Sequence, residues 1–254
     1  MRSRYPSTST FAYSFGPGPL TPAIKAIVAA NVAVFVISFL SPAIDALAQR
    51  TLGLQPEAVV EQLRIWQPFT YMFLHGGFLH LLFNMLALWM FGVELERMWG
   101  SRFFVKFYFV AGVGAALTTL LLSFTPFAIA DQLYRSVTIG ASGAIYGILL
   151  GYARYFPHRP ILLYFVFPIP AKYFVMIIGA ISLMSSMSGP GGGIAHTTHL
   201  GGLVAAYLYL KSGMRTHLLS EIKYRYLKWR INRMRRKFDV YSGGRADDVD
   251  RRVH

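Results

Sequence analysis

The chain has 254 residues, of which 54% are hydrophobic and 14% charged, with no cysteine and a formal net charge of +14 at pH 7. So low a charged fraction, against about 25% in ordinary soluble domains, excludes a conventional soluble globule. The lack of cysteine excludes disulfides, thiolate catalysis and cysteine-held metal or iron–sulfur sites.

Residues Met1 to Pro22 are polar and rich in Gly, Pro and Ser, without the cleavage pattern of a signal peptide. The first apolar segment runs over about Ala23–Leu40. A connection with scattered charge follows over Ser41–Thr70. The second segment covers about Tyr71–Phe91 and the third about Phe103–Phe124. A loop at Thr125–Ile139 leads to the fourth, about Gly140–Phe156, and the fifth covers about Ala171–Met187. The glycine run from Ser188 to Gly193 reads as a mobile loop, since such runs resist regular structure. The sixth segment covers about His199–Leu210. These runs are continuously apolar, several near the ~20 residues that span a bilayer, so helices are predicted and a β-barrel is not. The expected fold is an all-α polytopic membrane protein. It divides into an N-terminal segment (1–22), a six-helix transmembrane domain (23–212) and a basic C-terminal tail (213–254).

Charge sets the expected orientation. Of the 25 Lys and Arg, 13 lie from Lys211 onward. With both termini cytoplasmic, these 13 share one side with Arg2, Arg4, Lys25, Arg97, Arg102, Lys106, Arg154, Arg159 and Lys172, leaving only Arg50, Arg64 and Arg135 opposite. Basic residues collect on the cytoplasmic side of membranes, so both ends are expected inside; the membrane expected is a bacterial inner (cell) membrane. The Ser142 and His199 ends of their segments then face outward at one level. The fourth segment, about 25 Å long at 1.5 Å per residue, is shorter than the ~30 Å hydrocarbon core. Its serine end is therefore expected below the outer surface.

The sharpest chemistry lies in that pairing. Ser142, alone, reads as a helix N-cap. Its setting in Gly140-Ala141-Ser142-Gly143 points further: Gly140 and Gly143 let backbone approach a reacting group, and free N–H groups at a helix start can hold an anion. Gly143, Gly147 and Gly151 form a small-residue ridge that permits close helix contact in lipid. Gly202 and Ala206 lie on the His199 face of the sixth segment, so ridge against ridge brings His199 to Ser142. An intramembrane histidine is costly and reads as functional, and a serine needs such a base. Tyr146, one turn beyond Ser142, reads as a stacking support for the imidazole or as core packing. His80 and Asn84 share a helix face, as interhelical hydrogen-bonding groups or as donors to an oxyanion. His75 is assigned a structural or interfacial role, and His196 is the weaker second candidate base. His158, His217 and His254 read as solvated. The acids Asp45, Glu57, Glu61 and Asp131 fall in loops, so a Ser–His dyad is simpler than a triad. A zinc protease site lacks its carboxylate ligand, and a haem or metal site on His75, His80, His196 and His199 would leave the GASG unexplained. No cofactor or metal is expected.

Three runs resemble the rhomboid family of intramembrane serine proteases: the GASG at Ser142, His75-Gly76-Gly77-Phe78-Leu79-His80-Leu81-Leu82-Phe83-Asn84, and Ala195-His196-Thr197-Thr198-His199-Leu200-Gly201-Gly202. The resemblance covers most of Ala23–Leu210. It implies a six-helix bundle around a water-filled cavity, Ser142 as nucleophile, His199 as base and acid, and an oxyanion hole from His80, Asn84 and the Ser142 N–H. It further implies Tyr146 stacked on His199, Glu96 as a structural glutamate, and transmembrane segments of other proteins as substrates. A non-catalytic scaffold that binds transmembrane clients is the alternative. Many members carry Trp-Arg where this chain has Trp66-Gln67, which bears on loop stability. The tail, with Lys223, Arg225, Lys228, Arg230 and Arg233 among Tyr226, Leu227, Trp229 and Ile231, reads as a basic amphipathic helix on anionic lipid rather than a nucleic-acid surface. The end, Ser242–His254, reads as disordered.

Overall fold

The computed structural model describes residues 16–127, 129–163, 167–186 and 193–235. It is mostly helical. The helices are α1 (Pro22–Phe39), α2 (Pro42–Leu52), α3 (Pro56–Glu61), α4 (Gln67–Thr70), α5 (Phe78–Ala87), α6 (Val93–Trp99), α7 (Ser101–Leu122), α8 (Ala130–Arg135), α9 (Ser142–Tyr155), α10 (Ala171–Ser186) and α11 (Gly193–Arg235). A 3-10 turn at Tyr71–Phe73 precedes α5, and a π segment at Leu88–Gly92 joins α5 to α6. The chain divides into two compact units, Met1–Tyr209 and Leu210–His254. The features described below belong to the first. In the second, Tyr226 and Trp229 lie side by side with ring centroids 6.1 Å apart.

Among the described residues, three helical stretches are long and apolar enough to cross a membrane: Pro22–Phe39, Phe78–Trp99 and Ser101–Leu122. Ala171–Ser186 is a shorter apolar helix. Large apolar side chains are exposed along these helices, including Phe39, Phe83, Leu121, Met176 and Met184. Such a surface is unfavourable in water and natural against lipid. By contrast α9 is buried on almost every side, from Gly143 and Ala144 to Tyr152 and Ala153. It is the centre of the packing.

Several boundaries differ from the sequence reading. The second segment does not begin as a helix at Tyr71. Gly76 and Gly77 break the chain, and the helical stretch runs from Phe78 to Trp99, carrying Glu94, Glu96 and Arg97 past the end of the apolar run. The fourth helix starts at Ser142 rather than Gly140, because Gly140 has φ +120°. The sixth starts six residues early, at Gly193. Its polar first turns hid the start, since Thr197 and Thr198 are turned inward and buried. Residues 188–192 of the expected glycine loop, the 1–15 stretch of the N-terminal segment and the final 236–254 stretch of the tail lie outside the described residues. An antiparallel hairpin, β1 (Pro160–Leu163) with β2 (Phe167–Pro170), was not foreseen. Its register pairs Pro160 with Pro170, and it leads directly into α10.

The Ser41–Thr70 connection is also more ordered than its composition suggests. Its helices α2, α3 and α4 each carry proline in the first turn, where the missing N–H costs nothing. Gln67 is fully buried. It accepts from the Gln55 N–H at 3.1 Å and reaches the Thr51 carbonyl at 3.5 Å, so the amide ties this connection internally. Leu54 and Thr138 exchange backbone hydrogen bonds at 2.9 and 2.8 Å. That bridge joins the connection to the strand of chain entering the GASG.

Glu96 fastens the other end. Its carboxylate accepts the backbone N–H groups of Ala23 at 2.9 Å and Ile24 at 3.0 Å, the Ser101 hydroxyl at 2.6 Å and the Thr21 hydroxyl. One buried anion thus caps the start of α1 and touches the start of α7, where helix dipoles favour negative charge. Replacing Glu96 by alanine strands two helix starts. We expect a loss of about 3 kcal/mol, read as a fall in the thermal unfolding midpoint in detergent.

Candidate active site

The GASG turn is held from both sides. The Gly140 N–H donates to the Tyr71 carbonyl at 2.9 Å, and the Tyr71 hydroxyl donates to the Gly112 carbonyl of α7 at 2.8 Å. The positive φ of Gly140 swings the chain so that Ser142 is the first residue of α9, with Ala141 as cap. At this position the serine N–H has no intrahelical acceptor, and α9 directs the positive end of its dipole at the same point. Only glycine fits at 140. A Cβ there would lie 2.8 Å from His80 Nε2 and 2.9 Å from His80 Cε1. Gly140→Ala is expected to lower activity about 100-fold, the cost of misplacing reacting groups by about 1 Å, while thermal unfolding shows a folded protein.

His199 meets Ser142 from α11. Its Nε2 lies 2.8 Å from Ser142 Oγ, across 57 residues of sequence. If the serine O–H donates, Nε2 accepts and Nδ1 carries the ring proton. Nδ1 is buried without a hydrogen-bond partner, so among the described residues no carboxylate completes a triad. The Tyr146 ring lies flat on the imidazole, 4.2 Å between centroids and 12° between planes. His196 sits edge-on to His199 at 5.7 Å. It adjoins the imidazole rather than Ser142.

The close approach rests on small residues. A Cβ at Gly202 would fall 2.0 Å from the Gly143 carbonyl oxygen, so the backbones of α11 and α9 touch there. At Gly147 a Cβ would meet Ala206 at 3.2 Å and Ala111 at 2.5 Å. Gly151 departs from the expected ridge pairing. Its neighbours are Trp99, Leu95 and Phe107, because α9 passes from α11 to the ends of α6 and α7 by that level. Thr198, beside the histidine, is 2.8 Å from Thr119 of α7, hydroxyl to hydroxyl.

His80 and Asn84 reach the site from α5. A cavity of about 390 Å³ is lined by both of them, by Ser142 and Tyr146, and by Phe174 and Ile178 of α10. The Gly76 N–H donates to His80 Nδ1 at 3.4 Å. A neutral imidazole accepting at Nδ1 carries its proton on Nε2, the atom that faces Gly140. Asn84 donates one amide proton to the His80 carbonyl at 2.8 Å, and its second remains for the cavity. His75 is 5% exposed and sets its ring edge against His80 at 5.0 Å. It is a buried neighbour of the site. Among the described residues no group of three or more His, Cys, Asp or Glu could hold a metal ion.

Two contributors escaped the sequence reading. Tyr71 lies in no recognisable motif, and its role emerges only from the fold. Ser182, on α10, is fully buried and bonds Tyr146; one serine within an apolar run carries no signal by itself.

A sequence profile of the rhomboid domain matches residues 62–215, a span that holds His80, Asn84, Ser142 and His199. The chain is 32% identical over 187 residues to "Rhomboid protein 1, mitochondrial" of Saccharomyces cerevisiae, covering 73% of this chain and 51% of that one. It is 36% identical over 110 residues to "RHOMBOID-like protein 5" of Arabidopsis thaliana, covering 43% and 32%. It is 37% identical over 97 residues to "Rhomboid protease GluP" of Bacillus subtilis, covering 38% and 17%. The chain spans about half or less of the length of these relatives. With its apolar spans, it is an integral membrane protein, and by the matched domain it belongs to the rhomboid family.

Proposed function

We propose that the protein is an intramembrane serine endopeptidase that cleaves transmembrane segments of other membrane proteins through a Ser142–His199 dyad. The observation that carries this reading is the 2.8 Å approach of His199 Nε2 to Ser142 Oγ beside a cavity lined by His80 and Asn84. Ser142 Oγ attacks the peptide carbonyl and its proton passes to His199 Nε2. The Ser142 N–H, His80 Nε2–H and the free Asn84 amide proton receive the oxyanion, a stabilisation worth about 3 kcal/mol per donor in well-studied cases. The imidazolium then gives its proton to the leaving amine, and the acyl-enzyme remains. Water enters from outside and gives a proton to His199 as its oxygen attacks the ester carbon. The C–Oγ bond then breaks as His199 returns the proton to Ser142 Oγ, releasing the second product with a new carboxyl terminus. No cofactor takes part.

In this reading six helices cross the membrane: α1, the α5–α6 stretch, α7, α9, α10 and the part of α11 up to about residue 212. Both flanking segments, 1–22 and 213–254, lie in the cytoplasm, and the basic tail rests on anionic lipid. A substrate helix reaches Ser142 between α5 and α10, the helices that line the cavity. The relative named a protease supports the reaction class, and the positive-inside rule supports the orientation.

The test is cleavage of a reporter whose transmembrane helix contains destabilising Gly and Pro, by the purified protein in liposomes. Cleavage within that helix supports the reading. Binding of the reporter without cleavage would instead make the chain a rhomboid scaffold for transmembrane clients.

A further inference from the structure

We infer that Ser182 is a positioning residue for the base: it anchors the far end of the Tyr146 ring and thereby makes the orientation of His199 depend on the seating of α10. The inference rests on the Ser142–His199 reading and goes beyond it.

On α10, Phe174, Ile178 and Ser182 recur at four-residue spacing, so they share a face. The first two line the cavity beside Ser142. Ser182, one turn further, has no exposed surface. A buried hydroxyl in an apolar run is costly unless bonded, and a helical serine commonly satisfies itself on the carbonyl four residues back. Here the hydroxyl instead donates to the Tyr146 phenol oxygen at 3.3 Å. The Tyr146 ring stacks on His199 at 4.2 Å and 12°, and His199 Nε2 lies 2.8 Å from Ser142 Oγ. A phenol ring attached only at its Cβ can still turn about its side-chain bonds. A second attachment at the hydroxyl fixes its plane, and the stacked imidazole inherits that plane. His199 Nδ1 has no hydrogen-bond partner to fix the ring, so the plane of the imidazole rests on its ring contacts, of which Tyr146 makes the flat one. Three contacts in series then link α10 to the nucleophile. When α10 is seated the base is aimed.

The experiment separates the base from the cavity wall by using two readouts. A small fluorophosphonate reacts with Ser142 through the same base without having to seat a helix against α10; the helical reporter needs both the base and the cavity wall. Wild type, Ser182→Ala, Tyr146→Phe and the double variant are compared in detergent, with thermal midpoints recorded. The loss of one neutral hydrogen bond predicts a probe-labelling rate about three- to tenfold lower for each single variant. The double variant should be no slower than the slower single one, because both changes cut one link. Reporter cleavage should lose kcat with KM unchanged. An unchanged probe rate in Ser182→Ala, effects that multiply in the double variant, or a change confined to KM would overturn the inference. Should Ser182→Ala fail to fold, Tyr146→Phe removes the other half of the same bond and decides the question by its own probe rate. Absence of labelling in the wild type would sink the dyad itself, an outcome distinct from all of these.

Discussion

Replacing Ser142 or His199 by alanine is expected to abolish reporter cleavage, lowering kcat by about 10⁴- to 10⁶-fold as in soluble serine hydrolases stripped of nucleophile or base. The double variant should be little worse than either single one, because the two side chains act as a unit. Neither change should unfold the protein. Ser142 does not cap the helix here: the capping position belongs to Ala141, and no side-chain cap bond is formed. Removing its hydroxyl therefore costs α9 nothing at its start. His199→Ala opens a gap against the Tyr146 ring but leaves the backbone contact of Gly202 with Gly143 in place. Cleavage kinetics in liposomes together with thermal unfolding check both halves of the expectation. A His199→Ala protein that still cleaved would exclude the imidazole as base.

The second large effect is expected far from any reacting atom. A Cβ at Gly202 would sit 2.0 Å from the Gly143 carbonyl oxygen and 2.8 Å from its carbon. Backbone cannot yield as a side-chain tip can, so α11 must move away from α9. Overpacking of this kind costs about 1–3 kcal/mol, and more when backbone is the obstacle. The displacement also draws His199 from Ser142, and a shift near 1 Å costs about 100-fold in rate. Gly202→Val should therefore lose both stability and activity, and Gly202→Ala the same in lesser degree. Gly179→Ala is the control, since its Cβ would meet only Leu203 Cδ1 at an ordinary 3.5 Å. Thermal midpoint and cleavage rate should both fall for position 202 and hold for position 179. A normal Gly202→Val protein would mean that α9 and α11 do not pack as described.

Position 202 also illustrates what could be read in advance. Small residues at four-residue spacing on two apolar segments imply touching helices, and Gly143, Gly147, Gly202 and Ala206 meet as that spacing suggests. Gly151 does not, because the pattern says where a helix is thin but not which neighbour fills the space. Polarity misled in two places. Buried Thr197 and Thr198 made the first turns of α11 resemble a loop, and Glu94 and Glu96 hid the final turns of the α5–α6 stretch. The β1–β2 hairpin was illegible because its strands are short and carry three prolines, which ordinarily argue against strand pairing. Long-range single contacts were beyond reach altogether. Tyr71 supports the GASG turn across 69 residues, and Ser182 reaches Tyr146 across 36; neither residue type nor period announces such a bond.

The substitution at Gln67 shows how far a departure from a family motif can be judged. Read in sequence, it puts the first loop in question. In the fold, the buried amide bonds the Gln55 N–H at 3.1 Å, so a neutral side chain occupies the interior of the connection without the desolvation cost of an unpaired guanidinium. The same residue stands close in sequence to Tyr71 and the GASG support, so the connection is part of the platform for Ser142 rather than a passive link.

The most direct test of the dyad is the site of covalent capture. The full-length protein is treated with a fluorophosphonate in native membranes, digested, and mapped by mass spectrometry. One adduct, on the peptide bearing Ser142, absent from the His199→Ala protein, is the predicted result. A folded wild-type protein that carries no adduct at Ser142, or one labelled equally without His199, would contradict it.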